Sequence, residues 1–173
     1  MDLWKTGEKS MPRILAVDPG KATGIAVLEW FPDVKLDIPI AKDPKLTLSQ
    51  ECQMKEFAPV IREVLRCFVP DRTEKLYVVC ERFVINAATV RNTQAPYSLE
   101  MIGVLKQIML DFGIDPDTLI FQSPADAKSM FPNPALKKLG YWHKGEDGHA
   151  NDAIRHALLR AVKLGWKPRR LLE

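Results

Sequence analysis

Two acidic residues stand at unusual places in the sequence, each at the end of a short apolar run. Asp18 follows Ile14–Val17, and Glu81 follows Leu76–Cys80. A carboxylate beside a buried strand loses hydration, and two of them on neighbouring strands repel each other. A divalent cation would relieve both costs. Each acid also has an ordinary explanation, since Asp18 can begin an Asp-Pro-Gly turn and Glu81 can pair with Arg82.

A third candidate group lies at the start of a predicted C-terminal helix. His149 and Asp152 are three residues apart, which places them on one helix face. That face carries a polar stripe of four residues: His149, Asp152, His156 and Arg160. A polar stripe is usually solvated, and acids favour helix N-termini, so this segment alone leaves both interpretations open. The nearby Asp147 is expected to cap the helix.

The elements that must position these groups can be predicted from hydropathy. Five strands are predicted, at Ile14–Val17, Thr23–Trp30, Val34–Ile40, Leu76–Cys80 and Leu119–Phe121. The first two read as a hairpin around the Asp-Pro-Gly turn, and the third alternates apolar and polar residues, with Pro39 indicating a sheet edge. The compact run ending at Glu81 predicts a strand buried on both faces.

Helical periodicity is found in the segments between and after these strands. Helices are predicted over Phe57–Phe68, with a kink or a start near Pro59, over Met101–Phe112, after the Ser123-Pro124 start signal, and over Ala150–Ala161. Ala135–Leu139 adds a possible helical turn, and Asn86–Gln94 reads as a loop. The stripe Met101–Phe112 suits either the core or a dimer interface. This order predicts a mixed sheet, antiparallel at its start and parallel at its end, covered by helices.

Composition restricts the class of protein. The chain has 173 residues, a formal net charge of +3 and 46% hydrophobic residues, which predicts one globular domain over residues 1–173, with flexible tails at 1–12 and 167–173. No segment is apolar enough for a membrane helix or a signal core, so we expect a cytoplasmic protein. Three cysteines without metal-site spacing indicate reduced, structural thiols. The basic segment 155–170 suits either a polyanionic partner or solvent.

The motifs taken together resemble those of RuvC-type Holliday junction resolvases. The resemblance rests on Ile14–Gly20 followed by Thr23-Gly24, on the strand-ending Glu81, and on His149-x-x-Asp152-Ala153. Their order matches and spans residues 14 to 164, nearly the whole chain. The resemblance implies the ribonuclease H-like fold, a mixed five-stranded sheet with three antiparallel strands followed by parallel strands and with helices on both faces. The form of the third motif is most similar to bacteriophage-encoded relatives, which would place the protein in a bacterial host cell.

For the site, the resemblance implies that Asp18, Glu81 and Asp152 are catalytic ligands of Mg²⁺ or Mn²⁺, with two ions per active site. His149 occupies a position that is Asp in some relatives, where it would bind metal, move a proton or contact the scissile phosphate; its nitrogen favours Mn²⁺ slightly. Phe83 lies where the family has an apolar wedge, although a phenylalanine at a strand end also suits the core.

The resemblance also implies a substrate and an assembly. Members of the family act as homodimers that make paired nicks across a four-way DNA junction, in recombination and repair. The nucleic-acid contacts expected here come from a set of basic residues together with the wedge position: Arg82, Phe83, Lys137, Lys138, Arg155 and Arg160. Each basic residue alone suits a solvated surface, and only the group indicates a DNA track.

Other functions fit parts of the pattern. The same metal chemistry would serve a nuclease acting on other branched or RNA-containing duplexes. Asp18-Pro19-Gly20 with Thr23-Gly24 is also similar to the first phosphate hairpin of actin and sugar-kinase ATPases, but a second phosphate hairpin and an adenosine motif are not found in the sequence. An inactive binding module is the remaining alternative, and the full set of acids argues against it.

Overall fold

The computed structural model describes residues 12–29, 43–68, 75–83, 95–145 and 148–168. Five strands form one sheet: β1 (Arg13–Asp18), β2 (Ala22–Glu29), β3 (Lys45–Gln53), β4 (Leu76–Glu81) and β5 (Ile120–Gln122). Their order across the sheet is β3-β2-β1-β4-β5. β1 pairs with β2 and β2 with β3 in antiparallel fashion, whereas β4 is parallel to both β1 and β5. The predicted mixed topology is confirmed.

The third strand shows where the sequence pattern was insufficient. The alternating segment 34–40 lies outside the described residues, as do the whole predicted loop 86–94 and the tail residues 1–11 and 169–173. The strand that pairs with β2 is β3, which was not predicted. Its side chains are mostly half-buried, with only Cys52 buried, because β3 lies at an edge of the described sheet. An edge strand needs only a weak apolar pattern.

Five helices lie within the described residues: α1 (Met54–Phe68), α2 (Ala95–Asp111), α3 (Pro124–Met130), α4 (Asn133–Leu139) and α5 (His149–Lys163). A short 3-10 turn, Pro116–Thr118, precedes β5. Helix α1 begins five residues before Pro59 and includes it. Ser123 stands at the N-cap of α3 as predicted, but its side chain makes no capping hydrogen bond.

Side chains that alternate along the central strands build two cores, one on each face of the sheet. Leu15 and Val17 point to the face covered by α1 and α2, and Ile14 and Ala16 point to the face covered by α3, α4 and α5. Strands β1 and β2 are apolar throughout their centres because both of their faces are covered. The stripe of α2 packs into the first core, where Met101, Leu105, Ile108 and Met109 are all buried.

Cysteine burial and helix composition bear on two further expectations. Cys52 and Cys80 are buried and Cys67 is exposed, and all three are free thiols. Two of the three therefore act as core residues, as expected, while Cys67 lies on the outer face of α1.

None of the helices in the described part of the chain is long and apolar enough to cross a membrane.

Candidate active site

The pairing of β1 with β4 brings the first two acids together. The strands are parallel, and Val17 stands opposite Cys80, so Asp18 and Glu81 leave the sheet side by side at its carboxyl edge. Both strands are apolar up to that point, which places the carboxylates where the buried core ends. The sequence predicted this juxtaposition from the two apolar runs.

Helix α5 adds the third acid. It packs across β1 and β2 with its first turn at the same edge, and Asp152 lies in that turn. One carboxylate oxygen from each of Asp18, Glu81 and Asp152 lies within 4.8 Å of the other two. Residues separated by up to 134 positions therefore form one cluster of three carboxylates.

The electrostatics of the cluster favour a cation. Asp18 is only 6% exposed, and this burial, reinforced by the charges of Glu81 and Asp152 and opposed by the hydrogen bond to His149, raises its pKa to about 6. A bound cation would stabilise the charged form of Asp18 and so lower its pKa again. The donors are hard carboxylate oxygens, which Mg²⁺ and Mn²⁺ prefer. The residues present therefore fit a divalent metal ion.

His149 is a direct partner of Asp18. Its Nδ1 lies 2.8 Å from Asp18 Oδ2, and its side chain is about one-third exposed. The hydrogen bond to Asp18 raises the pKa of His149, while partial burial lowers it to a smaller extent. Among the described residues, the three carboxylates form the metal-competent group and His149 lies beside it. Its role as a metal ligand stays a prediction.

Two residues of the sheet fix the start of α5. The N-cap position is Gly148, which has a positive φ of 81° and no side chain to cap the helix. Glu51 on β3 supplies the missing acceptor, because its Oε1 accepts a hydrogen bond of 3.0 Å from the Ala150 N–H. Gly24 on β2 lies directly beneath, and a Cβ added there would be 1.9 Å from the His149 carbonyl oxygen. Only glycine allows the helix to approach the sheet this closely.

A buried histidine holds the second acid. His156 is fully buried, and its Nε2 lies 2.9 Å from Glu81 Oε2. Its Nδ1 lies 3.0 Å from the side-chain oxygen of Gln122, whose buried NH₂ has no hydrogen-bond partner among the described residues. The Glu81 carboxylate accepts from the Nε2–H of His156. The buried ring thereby links Glu81 at the end of β4 to Gln122 at the end of β5.

Asp152 has two cationic neighbours. Arg155 Nη1 lies 2.5 Å from one carboxylate oxygen, and Lys128 Nζ on α3 lies 3.0 Å from the other. Arg155 was predicted to contact nucleic acid, but its side chain is only 7% exposed. Its remaining N–H groups bind the Phe131 carbonyl oxygen and the Asn133 side chain. The guanidinium therefore ties α5 to Phe131 and to the first residue of α4, and we correct the DNA-contact prediction to a structural role.

The other predicted nucleic-acid residues occupy different surroundings. Arg82 follows Glu81 directly and is exposed. Phe83 is half-buried, and it is the last residue of the described range 75–83. Lys137 and Lys138 are exposed on α4. Arg160 packs over the Tyr77 ring, 4.5 Å from its centroid. Tyr77 lies near the start of β4, so Arg160 is at the opposite end of α5 from the acids. Asp147 lies outside the described residues.

Several residues of the site were not assigned from sequence. His156 was recognised as part of the polar stripe of α5, and the stripe does face the acids at His149, Asp152 and His156. Lys128, Gln122 and Glu51 reach the site from three other elements, and nothing in their local sequence distinguishes them from solvated polar residues.

Comparison with known proteins identifies the architecture. No protein-family model and no curated protein matches the sequence. Among solved structures, the chain is similar to Thermus thermophilus RuvC, with a TM-score of 0.63 and 16% identity over 88% of this chain and 96% of that one. T. thermophilus RuvC in complex with Holliday junction substrate gives a TM-score of 0.61 and 17% identity over the same shares, 88% and 96%.

A third structure, Fowlpox virus resolvase with substrate Holliday junction DNA, gives a TM-score of 0.52 and 13% identity over 89% of this chain and 99% of that one. These three structures match nearly the whole of both chains. The protein therefore has the ribonuclease H-like fold of RuvC.

Proposed function

We propose that the protein is a metal-dependent endonuclease that cleaves branched DNA, with the four-way Holliday junction as its principal substrate. The observation that carries the proposal is the convergence of Asp18, Glu81 and Asp152 within 4.8 Å at the carboxyl edge of a RuvC-like sheet. The similarity to RuvC and to a poxvirus resolvase, both solved with Holliday junctions, supports the choice of substrate.

The three carboxylates would hold Mg²⁺ or Mn²⁺, with Asp18 as the central ligand because it is the most buried of the three and the charges of both other carboxylates raise its pKa. We propose two ions per site. Such ions lower the pKa of an attacking water and stabilise the leaving oxygen of a phosphodiester. His149 is positioned to bind at the rim of this site or to exchange a proton there, because it is one-third exposed and already contacts Asp18.

The surrounding protein groups keep the acids in place. Glu51 and Gly24 set the approach of α5 to the sheet, and therefore the position of Asp152. His156 orients Glu81 through a hydrogen bond from a fully buried ring. Residues that fix a ligand in this way commonly change metal affinity or activity by about 10- to 100-fold when they are replaced.

The proposed DNA surface includes three exposed basic residues. Arg82 follows Glu81 directly, and Lys137 and Lys138 project from α4. Lysine and arginine side chains at such a surface bind phosphates and release counterions, so binding should weaken as salt concentration rises. Phe83 beside Arg82 keeps its proposed role as a wedge between base pairs.

The test is a cleavage assay on a panel of labelled substrates with Mg²⁺ or Mn²⁺. The panel contains a four-way junction, a replication fork, a flap, a plain duplex and an RNA-containing duplex. Preferential cutting of the junction at symmetric positions supports the proposal. Preference for the RNA-containing duplex would replace it with a ribonuclease function, and no cutting together with ATP binding would replace it with an ATP-binding module.

The residue assignment is tested with Asp18→Asn, which keeps the shape of the side chain but removes the charge. We expect this variant to lose cleavage and to retain junction binding in a gel-shift assay. Asp117→Asn is the matched control, because Asp117 is exposed before the start of β5, away from the carboxyl edge. Full cleavage by Asp18→Asn would refute the assigned role.

Paired nicks need two active sites, so we propose that the working form is a homodimer. Equilibrium sedimentation should give the mass of two chains, alone or with a junction. A single-chain mass under both conditions would contradict the dimer.

A further inference from the structure

Both carboxylate oxygens of Asp152 are in contact with cationic side chains. Oδ1 lies 2.5 Å from Arg155 Nη1, and Oδ2 lies 3.0 Å from Lys128 Nζ. Asp152 is also one of the three acids whose oxygens lie within 4.8 Å of one another. A metal ion that binds at these acids through Asp152 must therefore use an oxygen that a cation already contacts.

The protein holds these two cations with very different strength. Arg155 is 7% exposed on its side chain, and its other N–H groups bind the Phe131 carbonyl oxygen and the Asn133 side chain. The Lys128 side chain is 56% exposed. An exposed ion pair contributes little to stability, because water competes for both groups and a long side chain must be held in one geometry. Lys128 is therefore the cation that can leave Asp152 at small cost.

The backbone of α3 does not have to move when the lysine leaves. Ala127, the residue before Lys128, is 1% exposed, and Phe131 at the end of the helix is fully buried in the same core. These two side chains anchor α3 on both sides of Lys128. The ammonium is carried on a long, flexible stem, so it can turn into solvent while the helix stays in place.

A metal ion on Oδ2 and the Lys128 ammonium would repel each other. Mg²⁺ binds oxygen at about 2.0 to 2.1 Å, and the ammonium lies 3.0 Å from the same atom, so the two charges would be at most about 5 Å apart. Like charges at that distance disfavour each other, whereas a dication is attracted by all three carboxylates at once. The metal and Lys128 therefore compete for Oδ2 of Asp152.

We propose that Lys128 is a displaceable counter-ion of the metal site: it neutralises Asp152 in the metal-free protein and leaves Oδ2 when a divalent metal binds, while Arg155 stays on Oδ1. The inference rests on the proposed nuclease function and deepens it, because it concerns how the metal site of that function is loaded. Lys128 thus limits repulsion among the acids before metal binds, and it lowers the affinity of the free protein for metal.

The first experiment measures Mn²⁺ affinity without DNA, by the electron paramagnetic resonance signal of free Mn²⁺. We expect Lys128→Met to bind Mn²⁺ about 2- to 5-fold more tightly than the wild type, the range that the loss of one exposed ion pair allows. Lys128→Arg keeps the cation and should bind like the wild type. Lys163→Met is the matched control, because Lys163 is exposed in the last turn of α5, and its affinity should not change. A lysine that merely supported Asp152 would give the opposite sign, since its loss would weaken metal binding.

The second experiment compares crystals of the wild-type protein grown without metal and soaked in Mn²⁺. Lys128 Nζ should lie within hydrogen-bond distance of Asp152 Oδ2 without metal and leave it when Mn²⁺ is bound, with the Arg155 contact kept in both. Mn²⁺ bound at the acids with Lys128 still on Oδ2, or a folded Lys128→Met protein that binds Mn²⁺ no more tightly than the wild type, would overturn the proposal and leave the metal site standing. If neither the wild type nor Lys128→Met binds Mn²⁺, the metal site and the proposed function fail as well.

Discussion

Adding one methyl group at Gly24 tests whether the contact between β2 and α5 sets the geometry of the acidic cluster. In Gly24→Ala, the new Cβ would lie 1.9 Å from the His149 carbonyl oxygen and 2.7 Å from the Ala150 nitrogen. Real Cβ atoms essentially never approach another atom closer than 3.0 Å, so the first turn of α5 must retreat by about 1 Å. Both neighbours are backbone atoms, and no side chain can rotate to relieve the contact.

The retreat moves Asp152 and His149 away from Asp18 and Glu81. A displacement of about 1 Å in a catalytic group can reduce the rate by about 100-fold. Overpacking of this kind also commonly costs 1 to 3 kcal/mol of the free energy of unfolding. We therefore expect Gly24→Ala to cleave a four-way junction at least about 10-fold more slowly than the wild type, and to melt at a lower temperature.

The matched control is Gly103→Ala. Gly103 is exposed on α2, and an added Cβ there has no neighbour within 4 Å. Alanine favours a helix over glycine by about 1 kcal/mol, so this variant should melt slightly higher and cleave normally. The assay is single-turnover junction cleavage combined with thermal unfolding. A Gly24→Ala protein with the wild-type rate and melting temperature would refute the argument that this close approach positions the site.

Three further predictions concern protonation, metal affinity and thiol chemistry. In the metal-free protein, the raised pKa of Asp18 contributes stability that is fully present below pH 3.8 and is lost as pH rises through about 6. In chemical denaturation, the free energy of unfolding of Asp18→Asn should therefore rise relative to that of the wild type between about pH 4 and pH 7.5, by at most about 3 kcal/mol. A difference that does not change with pH would contradict this. His156→Phe should weaken metal binding by about 10- to 100-fold in a calorimetric titration. His156→Gln should lose less metal affinity, because it keeps an N–H donor for Glu81. Equal losses of affinity in the two variants would show that this donor has no role. Burial raises the pKa of Cys52 to about 11 and that of Cys80 further, so a thiol reagent should modify the exposed Cys67 of the native protein first, and rapid reaction of either buried thiol would contradict the packing.

The parts of the fold that sequence predicted well are those with strong apolar patterns. The strands ending at Asp18 and Glu81 are buried on both faces, so their hydrophobic runs are unmistakable and their ends mark the carboxyl edge of the sheet. The stripe of α5 was equally clear. Because parallel neighbours end at one edge, the sequence places Asp18 and Glu81 together, whereas the addition of Asp152 rests on the resemblance to RuvC-type resolvases.

The residues that sequence assigned poorly depend on contacts between distant segments. β3 was missed because an edge strand keeps polar side chains on much of its surface. The sequence assigns Arg155 to DNA as one of a group of basic residues near the proposed site, whereas in the structure Asp152, Asn133 and the Phe131 carbonyl together compensate its burial. Asp152 is a neighbour on the same helix, but Phe131 and Asn133 come from a segment more than 20 residues earlier, and no local pattern indicates their contact with Arg155.

The most direct test of the central claim is the position of bound metal. Crystals of the protein soaked in Mn²⁺ should show anomalous scattering peaks among the carboxylates of Asp18, Glu81 and Asp152, and crystals of Asp18→Asn soaked in the same way should show weaker peaks or none. The absence of Mn²⁺ from these carboxylates in the wild-type protein, at concentrations that support cleavage, would contradict the proposal that the cluster is the catalytic metal site.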